Sequence, residues 1–448
     1  MHVVFKNIRF WILLFFAFRL IGITNPPLEI SHSWRQSTGL MVARNFLEID
    51  NNILYPRIDD HEGWEGIVGM EFPLLNYSHY LVSTIFGYTH WYGRLINLIV
   101  SCLGIWFFYL LVIRLSNGKT AFYATPALLS SAWFMFSRKT MPDTFSLALV
   151  LASIYYAYKW VDNGRMLHYM SFFVLLVLGV MSKLPAIMLL ALLIPMLSRK
   201  SIAYKRLILL AIPTIASASI SYWWYFIRNP KIYKEYGIWY NEGGSLTKGW
   251  QEITGHLGSV IEKLSFNTFY SFVFIALAVL GLVIIIIKEK SLRWFLIVFV
   301  LGFGFFAVLS GRLFHVHTHY ILPLIPILAL CAGYALSSIK YRYLSLALLT
   351  IGVIEGVANQ QHDLVIPQLE QYKLSLEQFL NENIDDSAEV AISSINGNHQ
   401  TMYLAHRKGW MIRLQNLTND DELQKIKKRG GDFVVLDKHI TNTKPPLK

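Results

Sequence analysis

Charge is what this sequence has least of. Of its 448 residues, 15% are Asp, Glu, Lys or Arg, against about 25% in an ordinary soluble domain. Cysteine is nearly absent: Cys102 and Cys331 are the only two, and both lie in apolar runs. That excludes a disulfide framework and a cysteine-rich zinc cluster, and the pair reads as two small buried hydrophobes. No clear small-residue cleavage site follows the apolar run 10–23, so that run reads as a first membrane helix and not as a signal peptide. Neither an internal repeat nor a low-complexity tract is present. The repeat signature found in many transporters is therefore missing.

What replaces charge is apolar sequence of membrane length. Hydrophobic residues make up 54% of the chain. Residues 269–287 (FYSFVFIALAVLGLVIIII) and 294–310 (WFLIVFVLGFGFFAVLS) carry no charge, and about 20 mainly apolar residues suffice to cross the hydrocarbon layer. The pattern predicts an all-α polytopic membrane protein with about 11 transmembrane helices, near 10–24, 94–113, 120–137, 143–158, 167–182, 184–198, 207–227, 269–287, 294–311, 320–338 and 343–358. The apolar stretch 75–89 is short and reads as re-entrant or interfacial. Short loops on one side hold Lys6, Arg9, Arg114, Lys119, Lys159, Arg165, Arg199, Lys200, Lys288, Lys290, Arg293, Lys340 and Arg342. The positive-inside rule makes this side cytoplasmic. The net charge of +12 is thus mostly a matter of topology, and no nucleic-acid partner is expected. The protein is expected in the plasma (inner) membrane.

Three long segments face the other side: 25–93, 228–268 and the tail. The tail turns polar and mixed in charge. Residues 389–394 (EVAISS) and 432–436 (DFVVL) read as short buried strands, and 368–380 and 420–429 as helices. The expected division is a membrane domain over 1–360, with external loops 25–93 and 228–268, and a small soluble extracytoplasmic α/β domain over 361–448. Residues 441–448 (TNTKPPLK) read as a flexible end.

Candidate chemistry concentrates in the external segments. Glu29 follows the first span, where a carboxylate either sits solvated or acts as a general base on a hydroxyl. Arg35 offers a planar fork for phosphate, and Trp34 either packs on a sugar or anchors at the interface. His32 is a surface residue or a polar contact. Residues 37–47 read as an amphipathic helix at the surface. Asp59, Asp60, His61 and Glu62 are dense enough to attract a hard cation such as Mg²⁺ but lack EF-hand spacing, so a plain acidic loop competes with a metal site. Glu71 precedes Phe72–Pro73, where the chain turns near the membrane. Asp143 follows Pro142 at the start of a long apolar helix, a place the helix dipole favours for an acid. Arg138 and Lys139 stand outside, against the charge rule. Lys183 separates two apolar runs and either snorkels or neutralises a phosphate. In GRLFHVHTHYILPLIP, His315, His317 and His319 share a face if extended and would then suit zinc, while a loop at a helix start is the plainer reading. His32, Trp34, His319 and Tyr320 are candidate headgroup contacts.

Taken in order, HSWRQ (32–36), ARNF (43–46), NILYPRID (52–59), EFPLLNY (71–77), GR (93–94), SRKTMPD (137–143), SKLP (182–185) and HYILPLIP (319–326) resemble the bacterial membrane glycosyltransferases of the protein O-mannosyltransferase and aminoarabinose-transferase type. The resemblance covers about residues 1–360. It implies a helical membrane fold with external catalytic loops, a sugar donor carried on a polyprenyl phosphate, and a hydroxyl-bearing acceptor in protein, glycolipid or polysaccharide. It implies acids near the first span and at the external face as catalytic groups, here Glu29, Asp143 and Glu71. Family members commonly have Asp where this chain has Glu29. Arg35, Arg138 and Lys183 become the donor-phosphate ligands. The implied reaction is a single inverting displacement, with a divalent cation as a candidate cofactor. The competing reading is a transporter or flippase of a lipid-linked saccharide, which would also need intramembrane polar residues.

Overall fold

The computed structural model describes residues 7–62, 64–198, 204–239, 245–394, 398–413, 416 and 419–436. The sequence readings that fall on Lys6, Arg199, Lys200 and 441–448 lie outside these described residues. The chain forms two compact units: Met1–Ile23, Arg94–Trp224 and Glu242–His362 make one, and Thr24–Gly93, Tyr225–Asn241 and Asp363–Lys448 make the other.

The first unit is helical. A helix stands at each of the eleven apolar segments, but not every one is built like a full span. Five helices are long and apolar enough to cross a membrane: Tyr92–Leu115, Tyr204–Tyr236, Lys290–Ser310, Thr318–Ser338 and Arg342–Leu364. Counting the bent pair Leu257–Asn267 and Phe272–Lys288, which turns by 93°, gives up to six. By length and composition the expected eleven reduces to five or six, and the reasons are local. Ile8–Leu20 and Gly118–Ser130 have 13 residues each. The second stops where Ser131 turns extended and caps the next short helix through Trp133 N. Leu184–Ser198 is wound as a 3₁₀ helix of 15 residues. At about 2.0 Å rise per residue such a segment reaches about 30 Å, close to a hydrocarbon thickness.

Small residues bring these helices close, as they do where lipid supplies no hydrophobic drive between helices. The helix Ile325–Ser338 is gripped on two sides. A Cβ placed on Gly281 would stand 1.8 Å from the Cys331 carbonyl oxygen, and one on Gly333 would stand 2.5 Å from Ala124. Around these contacts Trp133, Phe136, Phe274 and Ile321 are fully buried. Both cysteines are buried and unlinked, as their apolar setting predicts.

The second unit is mixed. Its helix Ser33–Glu48 is buried from Gln36 to Phe46, so the expectation of a surface-lying amphipathic helix over 37–47 is corrected. Thr38, Arg44 and Asn45 of this helix are buried with hydrogen-bond partners, which a hydropathy pattern does not register. Leu74–Phe86 is a helix that leaves Leu81, Ile85 and Phe86 exposed. Val68–Gly69 and Ile238–Trp239 form a two-stranded parallel ladder. In the tail, three parallel strands lie in the order Gly409–Arg413, Val390–Ser394, Phe433–Val435. The outer strand Phe433–Val435 and the central one fall where the sequence places them, but as an edge strand Phe433–Val435 leaves Phe433 and Val434 exposed, which corrects its reading as buried, and Gly409–Arg413 is an addition. The helix Asp420–Lys428 carries Asn419 as cap, with acids in its first turn and lysines in its last, in accord with the helix dipole. Gly409 joins the sheet to the first loop: its N–H donates to the Asp59 carbonyl at 3.0 Å and its carbonyl accepts from His61 N at 3.0 Å. No other residue fits there, because φ is +146° and a Cβ would meet the Val390 carbonyl oxygen at 2.0 Å.

Candidate active site

In the helical unit the decisive feature is the turn 136–141. Asn97, in the second turn of the helix Tyr92–Leu115, points its amide at this turn. Its Nδ2 donates to the carbonyls of Phe136 (3.0 Å), Lys139 (2.8 Å) and Met141 (3.3 Å). Thr144 and Ser101 complete the knot, with Thr144 Oγ1 donating to Asn97 Oδ1 at 3.1 Å and Ser101 Oγ to Thr144 Oγ1 at 2.9 Å. Gln360 holds the preceding turn, donating to Ser130 O and accepting from Met135 N. The turn therefore enters the helix Pro142–Asn163 in one fixed way, with Asp143 in its first turn. Sequence reading passed over Asn97, although an amide inside an apolar helix is itself a signal of a buried hydrogen-bonding task.

Asp143 is 4% exposed. Its carboxylate faces Lys183, with Nζ 3.8 Å from Oδ1. Lys183 sits at the end of the helix Met166–Ser182, as a single extended residue before the 3₁₀ segment. Ser146 pins that junction by donating to the Gly179 carbonyl at 2.7 Å and to the Lys183 carbonyl at 3.3 Å. A narrow pocket is lined by Asp143, Ser146, Lys183, His319, Tyr320 and Pro323, among others. Four of the residues singled out from sequence are thus in one place. Arg138 is fully buried and donates to the Ile21 carbonyl; it does not line the pocket. His319 stacks on His317 with ring centroids 5.4 Å apart. The residues 312–316 form a short helix and 318–324 a 3₁₀ turn, so the three alternate histidines do not share an extended face. His315 turns away to Glu252, with Nε2 2.9 Å from Oε2. Glu252, His256 and His315 each place a ligand-capable atom within 4.8 Å of the others, the one such metal-competent group among the described residues.

The remaining candidates belong to the second unit. Glu29 is buried there. Arg35 is ion-paired with Glu71, so a candidate phosphate ligand and a candidate acid hold one another. His32 caps the helix Ser33–Glu48 in the left-handed region at φ 62°, and Trp34 stacks on His399 at 5.6 Å. The acidic run is taken up by protein partners. Asp59 accepts from Arg44 Nη2 at 2.6 Å and Asn45 Nδ2 at 2.9 Å. Asp60 meets His399 Nε2 at 3.0 Å, and His61 lies 3.4 Å from Glu389. Burial, with the Asp60 charge nearby, pushes the Glu62 carboxyl up.

A cavity of about 510 Å³ in the same unit is lined by Glu48, Glu377, Asp386, His406 and Arg407, among others. His406 bridges two carboxylates, at 3.0 Å from Glu48 and 2.7 Å from Glu377. The hydrogen bond to Glu48 raises the imidazole pKa against the cost of burial. Burial works to raise the Glu48 carboxyl, but the His406 hydrogen bond together with the Arg44, His406 and Lys408 charges outweighs it and the pKa is lowered. The raised imidazole contributes stability that is complete below its ordinary value of about 6.5 and is lost as pH rises through the raised one. The lowered carboxyl contributes above its ordinary value of 4.5 and loses that contribution as pH falls through the lowered one. The two overlap between about pH 4.5 and 6.5. The Tm of the detergent-solubilised protein is therefore expected to fall from pH 6 to pH 8. His406→Asn, which tolerates the left-handed backbone at φ 48°, should flatten that slope. An unchanged slope in the variant would remove His406 as its source.

Comparison with known proteins now bears on this geometry. Residues 71–226 match the family described as dolichyl-phosphate-mannose-protein mannosyltransferase. That segment contains Glu71, Arg138, Asp143 and Lys183. ArnT from Cupriavidus metallidurans in the apo state is similar in structure at 14% identity, with a TM-score of 0.63 over 97% of this chain and 90% of that one. The same protein bound to undecaprenyl phosphate is similar at 12% identity, with a TM-score of 0.62 over 94% of this chain and 89% of that one. The oligosaccharyltransferase of Archaeoglobus fulgidus, in complex with Zn and sulfate, gives 14% identity and a TM-score of 0.63 over 95% of this chain and 68% of that one. No curated protein sequence matches the chain. The fold is therefore shared with ArnT and with the archaeal oligosaccharyltransferase. The resemblance carried by the sequence motifs holds both in the matched segment and in the fold.

Proposed function

We propose that the chain is a membrane glycosyltransferase that moves a sugar from a polyprenyl-phosphate donor to a hydroxyl acceptor on the extracytoplasmic face of the plasma membrane. The observation that carries the reading is the Asp143–Lys183 pair at 3.8 Å in one pocket with His319 and Tyr320, inside a segment that matches a lipid-linked mannosyltransferase family. An acid and a cation at one spot are what the reaction asks for. Asp143 takes the proton from the acceptor hydroxyl as its oxygen attacks the anomeric carbon. The bond from that carbon to the phosphate oxygen breaks, and the configuration inverts. Lys183 stabilises the charge on the departing lipid phosphate. His319 and Tyr320 shape the mouth against the headgroup. Arg138 supports the turn ahead of Asp143. Glu29 and Glu71, in the first external loop, are proposed as alternative acids, and Arg35 as a ligand for an anionic headgroup that would compete with Glu71 for it. A divalent cation is assigned no step.

In this reading the membrane part extends over 1–360 with eleven crossings, the shorter helices and the 3₁₀ segment completing what length alone does not. The tail, 361–448, stands outside as a soluble appendage. The test is direct. Purified protein with a panel of polyprenyl-phosphate sugars and hydroxyl acceptors should give a glycosylated product identified by mass. Lys183→Ala should raise the KM for the lipid-linked donor by more than tenfold while changing the acceptor KM less, and Lys183→Arg should recover part of the loss. Unchanged donor dependence in the alanine variant would take Lys183 out of the phosphate site.

A further inference from the structure

We infer that Glu252, His256 and His315 form a transition-metal site of the zinc type, which clips the last turn of the helix Leu246–Gly255 to the segment that walls the pocket. Two imidazoles and one carboxylate are a nitrogen-rich donor set. It suits Zn²⁺ and its neighbours and disfavours the hard cations that want all-oxygen shells. Ligands bound at about 2.1 Å to a tetrahedral ion stand about 3.4 Å apart. The three residues offer atoms within 4.8 Å of one another, so modest side-chain rotations close the shell.

A second observation concerns how the histidines are held. His256 Nδ1 lies 3.0 Å from the Glu252 backbone carbonyl. A carbonyl only accepts, so Nδ1 carries the proton and Nε2 keeps its lone pair. That is the outer-shell arrangement that orients metal-binding histidines. The rings of His256 and His315 are stacked, with centroids 4.0 Å apart and planes 8° from parallel. Both address the same carboxylate: His315 Nε2 is 2.9 Å from Glu252 Oε2, and His256 Nδ1 is 3.8 Å from it. A bound ion takes the place of the proton shared by His315 and Glu252, and that proton goes to solvent. His315 is nearly buried while Glu252 and His256 are substantially open, so one anchor is fixed and an ion has a way in. Three protein ligands leave the fourth position to water.

The place is a built corner. Gly249 meets Gly311 with no room for a side chain: a Cβ on Gly249 would stand 1.8 Å from the Val308 carbonyl oxygen, and Gly311 turns the chain at φ +49°. From the far side Lys263 Nζ donates to the Phe314 carbonyl at 2.8 Å. The next residues along the chain are His317, His319 and Tyr320. The ion would therefore fix the entry of the pocket wall without touching the reacting groups.

The test uses the full-length protein in detergent with any affinity tag removed, stripped with EDTA and returned to Zn²⁺, to Mg²⁺ or to buffer. Bound metal is measured by mass spectrometry and Tm by a thermal scan. About one zinc per chain and a rise in Tm with Zn²⁺ but not with Mg²⁺ are expected. His256→Ala and Glu252→Gln should weaken zinc binding at least tenfold and abolish the Tm rise. His315→Ala can disturb folding because His315 is nearly buried, so the exposed His256 carries the decision. Zinc binding by the His256→Ala protein equal to that of the unaltered chain would overturn the assignment. So would a Tm response to Mg²⁺ as large as that to Zn²⁺. Neither result depends on the glycosyltransferase reading, since no activity is measured.

Discussion

Asp143→Asn should reduce sugar transfer by about 10²–10⁴-fold, the range a positioned general base supplies. The substitution preserves shape and removes the charge. It leaves the first turn of the helix Pro142–Asn163 intact, and Asn97 still grips the turn before it. The loss should therefore fall on kcat, with the donor KM moved far less than in Lys183→Ala. Removing the carboxylate also removes the ion-pair partner of Lys183 at 3.8 Å, so a modest gain in affinity for the anionic lipid is expected. Steady-state kinetics with a verified donor and acceptor separates the two effects. Asp143→Asn with an undiminished kcat would move the base elsewhere, with Glu29 and Glu71 next to be tried.

Arg44→Ala should be the most damaging single change for the second unit, costing about 3–5 kcal/mol, the penalty for breaking a buried ion pair by removing one partner. Arg44 is 5% exposed and Asp59 1%. The guanidinium binds Asp59 at 2.6 Å, donates to the Tyr403 carbonyl at 3.2 Å and lies over the Tyr403 ring at 4.8 Å. Burial works against the charged guanidinium, but the Asp59 carboxylate together with Tyr403, Tyr88 and Glu48 prevails and the pKa is raised. Without Arg44 the Asp59 carboxylate is left buried beside a single amide donor, Asn45. The double variant Arg44→Met with Asp59→Asn removes both charges and should recover part of the loss. Thermal or denaturant unfolding of the full-length protein checks both. A single variant within one degree of the parent Tm would show that Arg44 is not what holds Ser33–Glu48 to Asp59 and to the tail.

Much of the helical unit was legible because membrane helices advertise themselves in composition. Each apolar run became a helix, and Asp143 and Lys183 stood out because charge is rare beside such runs. Their meeting was not legible: it depends on the end of one helix arriving beside the start of another, which no spacing along the chain encodes. By length and composition five or six helices count as full spans, because hydropathy sees neither a serine cap at 131 nor a change to 3₁₀ winding after Lys183. In the second unit the failure has another cause. The helix Ser33–Glu48 is polar in sequence and buried in structure because its partners come from elsewhere in the unit: Asp59 from farther along the first loop, Tyr403 and His399 from the tail. The acidic run looked like a cation site for the same reason, since its counter-charges lie outside it. The strand Gly409–Arg413 was missed because it begins with glycine and ends with arginine.

The grip of Asn97 on the 136–141 turn has a consequence for how such a site can diverge. The amide holds backbone carbonyls, and every residue has one. The grip itself reads no side chain at 136, 139 or 141, whereas the distant asparagine that makes it cannot be exchanged. Inheritance of the site is lodged partly in a helix that lines none of it.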